Sequence, residues 1–408
     1  MTANKLNGKN IIILGLPRFD SELESTNYTS AKLLARNNRV VYIENPLTIK
    51  DYWAIKDTVR HQRRQPFLSI WNTELMGTDT PNLTILVPPV LLSINFLPEG
   101  WLYRQLLKLN ERILAYKLKR VLRKQRIEAH VFINSFNFHY PGLGSHLNAS
   151  LAVYHCLDPL IVDFDRRHGL QSEAELVRNS DVVVCSSRQL QRETSELNVN
   201  SYFIPNAADL SHSSKCMDPS LLVHSLFKDI KGPVIGYFGA VERRINYELL
   251  LAAAQQHQDK SFVLVGPVDP VYIPEFIKLQ DNIYLPGPVP YAELPAVLKG
   301  FSVAIIPFKK DEVSRTIFPL KLFEYLGAGK AVVCTDFNPD LVDFTADSVH
   351  YCSTATQFSA AISAALLEQG PEWVARRQEI AAENTWEKRI DQMSEVMMRS
   401  YTRINGTS

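Results

Sequence analysis

The sequence predicts an α/β protein of two doubly wound domains, each a parallel sheet with helices on both faces. Short, uninterrupted apolar runs recur along the chain, as in strands that are buried on both faces. Stretches of helical character lie between most of these runs, which is the pattern of βαβ units. The chain has 408 residues, enough for roughly two to three domains.

The first domain is predicted to span residues 1–209. It opens with a strand at 11–14, a polar loop, a helix around 28–36 and a second strand at 40–43, which together make one βαβ unit. Further strands of this domain are predicted at 83–87, 129–133, 151–154, 182–185 and 202–204.

Residues 210–232 are polar and poorly periodic, so we predict a linker there. The second domain is predicted to span residues 233–383 and to repeat the alternation of strands and helices. Its strands are predicted at 234–238, 262–265, 283–285, 303–306 and 331–334. A final helix is predicted at 386–399, within a C-terminal segment of residues 384–408.

The charge and the cysteine content of the chain exclude several classes of protein. The chain has 44 Lys and Arg against 43 Asp and Glu, a net charge of +1, so we expect no nucleic-acid partner. Its five cysteines are scattered and form no CxxC pair, which is typical of a protein in a reducing compartment. We therefore expect neither a zinc site built on cysteines nor a set of disulfides. The polar N-terminal stretch and the absence of a long apolar run predict a cytoplasmic protein.

The familiar phosphate-binding motifs are absent from the sequence. Neither opening strand leads into GxGxxG, and Gly327-Ala-Gly-Lys330 lacks both the earlier glycine and the following Ser or Thr of a P-loop. Asp163-Phe-Asp165 is a DxD triplet, a pattern that can hold a divalent metal. Because Arg166 and Arg167 follow at once, a solvated, salt-bridged face is favoured, and we expect no metal or other cofactor.

The most informative segment runs from Ser314 to Val333. Pro319 suits the first turn of a helix, and glycines at 327 and 329 end that helix. Lys321 and Glu324 are three residues apart and project together. A lysine beside a helix N-terminus is a site for an anion, and a carboxylate one turn on can accept two ribose hydroxyls. The alternative is an exposed ion pair on the helix surface.

This segment resembles the nucleotide-sugar site of bacterial glycosyltransferases of the group 1 type. Their pattern, similar to P-x-K-L-F-E-Y-L-A-A-G-K-P-V-V, matches residues 319–333, and weaker matches occur at 203–209, 236–250 and 384–389. The resemblance implies the GT-B fold, in which two Rossmann-like domains face a cleft and the last helix returns to the first domain. Teichuronic-acid-biosynthesis glycosyltransferases are similar members, and xanthan glucuronosyltransferase is a more distant one.

The resemblance also implies roles for residues around the donor. Lys321 is implied to hold the diphosphate and Glu324 the ribose, with Ser314, Arg315 and Thr316 near the phosphates or donor sugar. Many retaining members carry a glutamate eight residues before the position of Glu324. Here that position is Thr316, so the sequence favours an inverting mechanism.

Two loops of the second domain add candidates by the same resemblance. Arg243 and Arg244 follow the first strand of that domain, where family members commonly place basic side chains against the diphosphate. A solvated charged loop is the alternative reading. Pro288 and Val289 lie where the backbone of family members receives the base.

Candidate residues for the acceptor lie in the first domain. Asp158 follows a buried strand, where a carboxylate is well placed to act as general base on an acceptor hydroxyl, as the resemblance to an inverting relative also implies. The alternative is that Asp158 caps the next helix, with Pro159 as its first residue. His155 either orients this base or faces the core. His139 and Arg18 are further acceptor-side candidates.

Residues 101–126 form a basic, amphipathic segment. It carries nine Lys and Arg side chains and only Glu111 as counter-charge. Such a helix can lie on an anionic membrane surface, and the alternative is an ordinary domain helix with a solvated basic face.

These observations predict an enzyme, a metal-independent glycosyltransferase. It would move a sugar from a nucleotide donor, with UDP favoured, to a saccharide or lipid-linked acceptor in the synthesis of cell-surface polysaccharide. It would work in the cytoplasm, peripheral to the inner face of the membrane. The alternatives are a non-hydrolysing sugar-nucleotide epimerase, which shares the fold, and a catalytically inactive nucleotide-sugar-binding scaffold.

Overall fold

A computed structural model describes residues 5–20, 25–56 and 58–406 of the chain. These residues divide into two compact units. The first runs to Pro205 and resumes at Arg389, and the second is Asn206–Lys388. Each unit is built on one sheet of mainly parallel strands with helices between them. The predicted fold class, two doubly wound α/β domains, is confirmed.

The first unit contains an eight-stranded sheet in the order β3-β4-β2-β1-β5-β6-β7-β8, parallel except for the β3–β4 pair. The strands are β1 (Asn10–Gly15), β2 (Arg39–Ile43), β3 (Met76–Gly77), β4 (Leu83–Leu86), β5 (Val131–Ser135), β6 (Leu151–Cys156), β7 (Val182–Cys185) and β8 (Ser201–Phe203). The helices between them are α1 (Thr26–Leu34), α2 (Ile49–Ile55), α3 (Val59–Arg64), α4 (Trp101–Lys124), α5 (Leu143–Leu147), α6 (Asp163–Asn179) and α7 (Arg188–Ser195).

Strand β1 explains why the apolar runs are continuous. Ile11 and Ile13 belong to one buried cluster and Ile12 and Leu14 to another, because successive side chains point to opposite faces of the sheet. Both faces are covered by helices, so every position of the strand is apolar. All four side chains are less than 2% exposed.

The second unit contains a six-stranded parallel sheet in the order β11-β10-β9-β12-β13-β14. The strands are β9 (Val234–Phe238), β10 (Ser261–Val265), β11 (Ile283–Gly287), β12 (Val303–Ile306), β13 (Ala331–Thr335) and β14 (Val349–Cys352). The helices from here to the end of the chain are α8 (Leu210–Ser213), α9 (Tyr247–Gln256), α10 (Glu275–Lys278), α11 (Leu294–Gly300), α12 (Leu320–Gly327), α13 (Val342–Thr345), α14 (Ala355–Ala365), α15 (Pro371–Ala382) and α16 (Trp386–Asn405).

The strand order of each sheet fixes where a ligand can bind. In the second unit the chain builds β9, β10 and β11 outward in one direction and then returns to place β12 on the other side of β9. In the first unit the same reversal occurs between β1 and β5. Open α/β sheets bind ligands at such a reversal, beyond the carboxyl ends of the strands. Ligands are therefore expected at the loops after β9 and β12 and at the loops after β1 and β5.

The structure adds elements that the sequence pattern did not predict. Strand β3 has only two residues, and β14 is an edge strand whose two central residues are partly exposed, so neither forms a buried apolar run. The segment predicted as a linker lies inside the second unit and includes α8 and two 3₁₀ turns. From Arg389 onward α16 belongs to the first unit, where Met393 and Met397 join its core. Within the described residues, no helix has the length and apolar character needed to span a membrane.

Candidate functional site

The second unit builds its candidate site around a glycine at the end of β9. Gly239 has a φ of +132°, and its backbone N–H donates to the Val265 carbonyl at 2.9 Å. A Cβ atom at this position would lie 2.8 Å from Nζ of Lys321 and 3.1 Å from the hydroxyl of Tyr237. Only glycine lets the chain turn here with a lysine amine against the backbone.

Lys321 is the second residue of α12 and is partly buried. Its amine donates to the Tyr237 hydroxyl at 3.0 Å and lies over two aromatic rings, 4.7 Å from the centre of Tyr237 and 5.1 Å from that of Phe308. Lys321 is therefore not an exposed surface lysine, and the alternative of a solvated ion pair is wrong. The contacts hold its amine close to the loop that follows β9, the first strand of this sheet.

The charges around Lys321 are mixed. Burial, together with the nearby cation of Arg244, lowers the pKa of its amine to about 7. The carboxylates of Glu324 and Glu242 act in the opposite direction. Glu324 is partly buried and lies one turn after Lys321 on α12. An anion bound beside an amine with a pKa near 7 would favour its charged form.

Of the two arginines in the loop after β9, only Arg244 turns toward this region. Its guanidinium donates to the Glu242 carboxylate and lies 5.7 Å from the centre of the Phe308 ring. The Arg244 carbonyl also accepts from the Lys309 N–H at 2.8 Å, which ties the loop to the one after β12. Arg243 is more exposed, with its Nε 3.9 Å from Glu242. The structure thus brings Arg244 and Lys321 together and leaves Arg243 at the rim.

Residues 314–316 form a 3₁₀ turn just before α12. The Ser314 side chain is fully buried, and its hydroxyl has no hydrogen-bond partner among the described residues. The Thr316 hydroxyl donates to the Val313 carbonyl at 2.7 Å, so it is used within the turn. Arg315 is exposed. Ser314 is therefore the one of the three whose buried polar atom lacks a protein partner.

Pro288 and Val289 lie in the loop after β11, at the same edge of the sheet. The Gly239 N–H bonds to the end of β10, and the Gly266 N–H bonds to the Gly287 carbonyl at the end of β11. These hydrogen bonds join the loops after three neighbouring strands. Pro288 is exposed and Val289 partly exposed. Backbone groups of this loop are therefore accessible at the edge where Lys321 lies.

In the first unit, His155 and Asp158 have different environments. His155 is the fifth residue of β6 and is buried, with Nδ1 3.4 Å from the Ser135 hydroxyl. Burial lowers its pKa to about 4, so the ring is neutral at pH 7. Asp158 is exposed, two residues beyond the strand. Helix α6 begins at Asp163 with Val162 as its capping residue, so the alternative that Asp158 caps this helix is wrong.

The other acceptor-side candidates lie in loops of the same sheet edge. His139 follows β5, is partly exposed, and has its ring 4.4 Å from that of Phe138; burial lowers its pKa. Arg18 follows β1 and is partly exposed. Since β1, β5 and β6 are neighbours in the sheet, these loops emerge side by side. The structure therefore groups Arg18, His139 and Asp158 at one edge.

A buried ion cluster supports the loop that carries Arg18. Arg64, at the end of α3, donates two hydrogen bonds to Glu44, at 2.6 and 2.8 Å, and two to Asp20, at 2.6 and 3.0 Å. Arg64 and Glu44 are both almost completely buried. Sequence reasoning missed this cluster because its members are far apart in the chain. It also missed Tyr237 and Phe308, which contact Lys321. In the sequence they are marked only by being aromatic and lying near the end of a strand.

The DxD triplet lies in the first turn of α6, where acidic side chains suit the positive end of the helix dipole. Asp163 is exposed and Asp165 partly exposed. Within residues 5–20, 25–56 and 58–406, no group of three or more His, Cys, Asp or Glu side chains converges as metal ligands do.

Comparison with known proteins shows the fold and a family match over part of the chain. Residues 232–368 match the family described as Glycosyl transferases group 1. Solved structures of 13–15% identity align over nearly the whole chain, which shows the fold. The chain has the GT-B fold, and the match to the Glycosyl transferases group 1 family lies within its second unit.

The same comparison finds individual proteins that are similar to this chain. The chain is 27% identical over 217 residues to the putative teichuronic acid biosynthesis glycosyltransferase TuaH of Bacillus subtilis; the match spans 48% of this chain and about half of that relative, 53%. Anabaena Alr3699/HepE in complex with UDP has a TM-score of 0.63 at 14% identity, covering 96% of this chain and 100% of that one. Sucrose-phosphate synthase from Thermosynechococcus elongatus has a TM-score of 0.62 at 15% identity, covering 97% and 100%.

Proposed function

We propose that the protein is a glycosyltransferase that moves a sugar from a nucleoside-diphosphate donor to a saccharide or lipid-linked acceptor. The observation that carries this proposal is the amine of Lys321, held by Tyr237 and Gly239 at the N-terminus of α12 beside Arg244. Two cations and a helix N-terminus at the reversal point of a parallel sheet suit a diphosphate. The group 1 domain over residues 232–368 supports the same assignment.

The donor roles follow from the chemistry of each side chain. Lys321 and Arg244 neutralise the charge that develops on the leaving diphosphate, and Arg243 contributes from the rim. Glu324 accepts the ribose hydroxyls. These cations supply the electrostatic stabilisation that a divalent metal supplies elsewhere, so the transfer we propose is independent of metal.

The remaining donor contacts are assigned by position along the chain. The buried Ser314 hydroxyl offers an unused donor next to α12, and Arg315 and Thr316 flank it near the donor sugar. The backbone at Pro288 and Val289 receives the base. We propose UDP as the nucleotide, because Anabaena Alr3699/HepE, which has a similar fold, is known in complex with UDP and with UDP-glucose.

On the acceptor side, we assign Asp158 as the general base. Its exposed carboxylate takes the proton of the acceptor hydroxyl, the oxygen bonds to the anomeric carbon, and the bond to the diphosphate breaks. This is an inverting displacement, consistent with Thr316 in place of the glutamate that many retaining members carry eight residues before the position of Glu324. His155 is buried and neutral, so we assign it a positioning role within the strand. Arg18 and His139 bind the acceptor.

The pathway assignment rests on the relative named for teichuronic acid biosynthesis. We propose that the product is a cell-surface polysaccharide and that the protein works in the cytoplasm, at the inner face of the membrane.

The test of this function is UDP binding by calorimetry. A charge-assisted hydrogen bond contributes about 1.5–3 kcal/mol, so Lys321→Ala should weaken UDP binding roughly ten- to a hundredfold. Glu324→Ala should weaken it as well. Lys330→Ala is the matched control: it removes a partly buried lysine beyond the end of α12 that bonds only to the Lys299 and Phe301 carbonyls in the described contacts. UDP affinity unchanged in both site variants would remove the donor site.

A second assay separates the three candidate functions. A transferase releases UDP from a UDP-sugar only when an acceptor is present. An epimerase interconverts the UDP-sugar without an acceptor, and an inactive scaffold binds it and leaves it unchanged.

A further inference from the structure

Helix α4 has one face in the core and one in solvent. The buried positions include Tyr103, Leu107, Leu114, Leu118 and Val121, which pack on the sheet of the first unit. Apart from exposed Leu102 and Lys124 near its two ends, the exposed positions recur every three or four residues, so they form one stripe along the helix. They are Trp101, Gln105, Lys108, Leu109, Arg112, Tyr116, Lys119 and Arg123.

The stripe combines cations with large apolar side chains. Lys108, Arg112, Lys119 and Arg123 are its four charged residues, and none of them is acidic. The one acidic residue of α4, Glu111, is buried on the opposite side. Trp101 is 76% exposed and Tyr116 44% exposed. Exposed apolar side chains that are grouped together and rimmed by polar residues mark sites of interaction with proteins, ligands or membranes.

A neighbouring loop extends the stripe with a further aromatic residue. Trp71 is 64% exposed, and its ring meets that of Tyr116 edge-on at 5.9 Å. The Arg120 guanidinium lies over both rings, 5.1 Å from the centre of Trp71 and 5.8 Å from that of Tyr116. The amine of Lys117 donates to the Phe67 carbonyl and so fastens the start of this loop to α4. The aromatic residues are therefore held in place at the surface.

Three of the basic residues of the segment do not contribute to this surface. Lys117 is buried and bonds to backbone carbonyls, Arg104 pairs with Glu99, and Lys124 pairs with Glu74. The available charge is that of the four exposed residues of the stripe, with Arg120 beside them and exposed Arg126 just after the end of the helix.

We infer that the exposed stripe of α4, together with Trp71, is a docking surface for an anionic lipid bilayer. At 1.5 Å per residue, the 24-residue helix offers a straight edge of about 36 Å. Tryptophan and tyrosine prefer the boundary between headgroups and acyl chains, and long cationic side chains reach the lipid phosphates. This inference deepens the proposed location at the inner face of the membrane; it does not depend on sugar transfer, because it concerns adsorption to lipid.

The charge component is tested by sedimentation with vesicles of phosphatidylglycerol and phosphatidylcholine. Each basic residue near an anionic surface strengthens binding about fivefold, so the Lys108→Glu, Arg112→Glu double variant should bind at least about 25-fold more weakly. Lys228→Glu, Lys231→Glu makes the same charge change at exposed lysines of the second unit and should bind like the wild type. Added salt should release the wild-type protein.

The aromatic component is tested by fluorescence quenching with brominated lipids. Tryptophan emission of the wild type should be quenched on anionic vesicles, and Trp71→Phe, Trp101→Phe should lose most of that quenching while its binding persists. Circular dichroism of each variant checks that it is folded. The inference would be overturned if the wild type did not bind anionic vesicles or bound neutral vesicles equally well. It would also be overturned if the Lys228→Glu, Lys231→Glu control lost as much vesicle binding as the Lys108→Glu, Arg112→Glu variant. UDP binding in the same variants should be unchanged, which separates this outcome from failure of the donor site.

Discussion

The lowered pKa of Lys321 makes donor binding depend on pH in a way that can be calculated. In the free protein its pKa is about 7, because the amine is buried and faces the Arg244 cation. Glu324 and Glu242 oppose this shift, and the Tyr237 hydroxyl, whose pKa is raised by burial, does not ionise in the working range. A bound diphosphate favours the charged amine, so the pKa of Lys321 rises in the complex.

The sign and size of the effect follow from these values. Below pH 7 the amine is already charged and binding has its full strength; above pH 7 the charge must be acquired on binding. Half of the sites are protonated at pH 7 and about 3% at pH 8.5, so UDP affinity should fall about 15-fold between them. The terminal phosphate of UDP is largely ionised over this range, since its second pKa is about 6.

Calorimetry in buffers of different ionisation enthalpy measures the proton directly. At pH 8 the wild type should take up about 0.9 proton for each UDP bound. Lys321→Ala should bind more weakly and take up almost none. Uptake near zero in the wild type, or the same uptake in the variant, would refute the assignment of this proton to Lys321.

Three further outcomes are expected. Gly239→Ala should weaken UDP binding about tenfold or more, since the added Cβ meets the Lys321 amine at 2.8 Å; calorimetry giving wild-type affinity would contradict the close approach. Asp158→Asn should keep its UDP affinity but lose transfer about a hundred- to ten-thousandfold in acceptor-dependent UDP release; near-normal turnover would exclude Asp158 as the base. Arg64→Met should lower the free energy of unfolding by about 3–5 kcal/mol in urea, because it leaves Glu44 buried without its partner; a stability equal to that of the wild type would show that the cluster relaxes without cost.

Local sequence was sufficient for the architecture. The apolar runs that form β1, β9 and β12 are buried on both faces of their sheets. Burial on both faces requires consecutive apolar residues, and such a run can be recognised in the sequence alone. The segment containing Pro319, Lys321 and Glu324 also carried its signal in one continuous stretch. Edge strand β14 and the short β3 were missed, since partial exposure or brevity removes the apolar run.

The environment of each candidate residue required the tertiary structure. Lys321 is separated by 84 residues from Tyr237, the hydroxyl that holds its amine, so no local pattern could report the contact or the lowered pKa. Arg244 and Arg243 are adjacent in sequence, yet only the first lies over Phe308. Lys117 looked like part of a basic face and is buried.

The sequence by itself determined the two doubly wound domains and the segment that carries the candidate donor site. It could do so because buried strands, helix ends and a contiguous motif are short-range properties of the chain. The tertiary structure decided which cations lie together, that His155 is neutral, that Asp158 does not cap α6, and that Trp71 joins the stripe of α4. The reason is physical: charge, burial and pKa are set by atoms that folding brings together from distant parts of the chain.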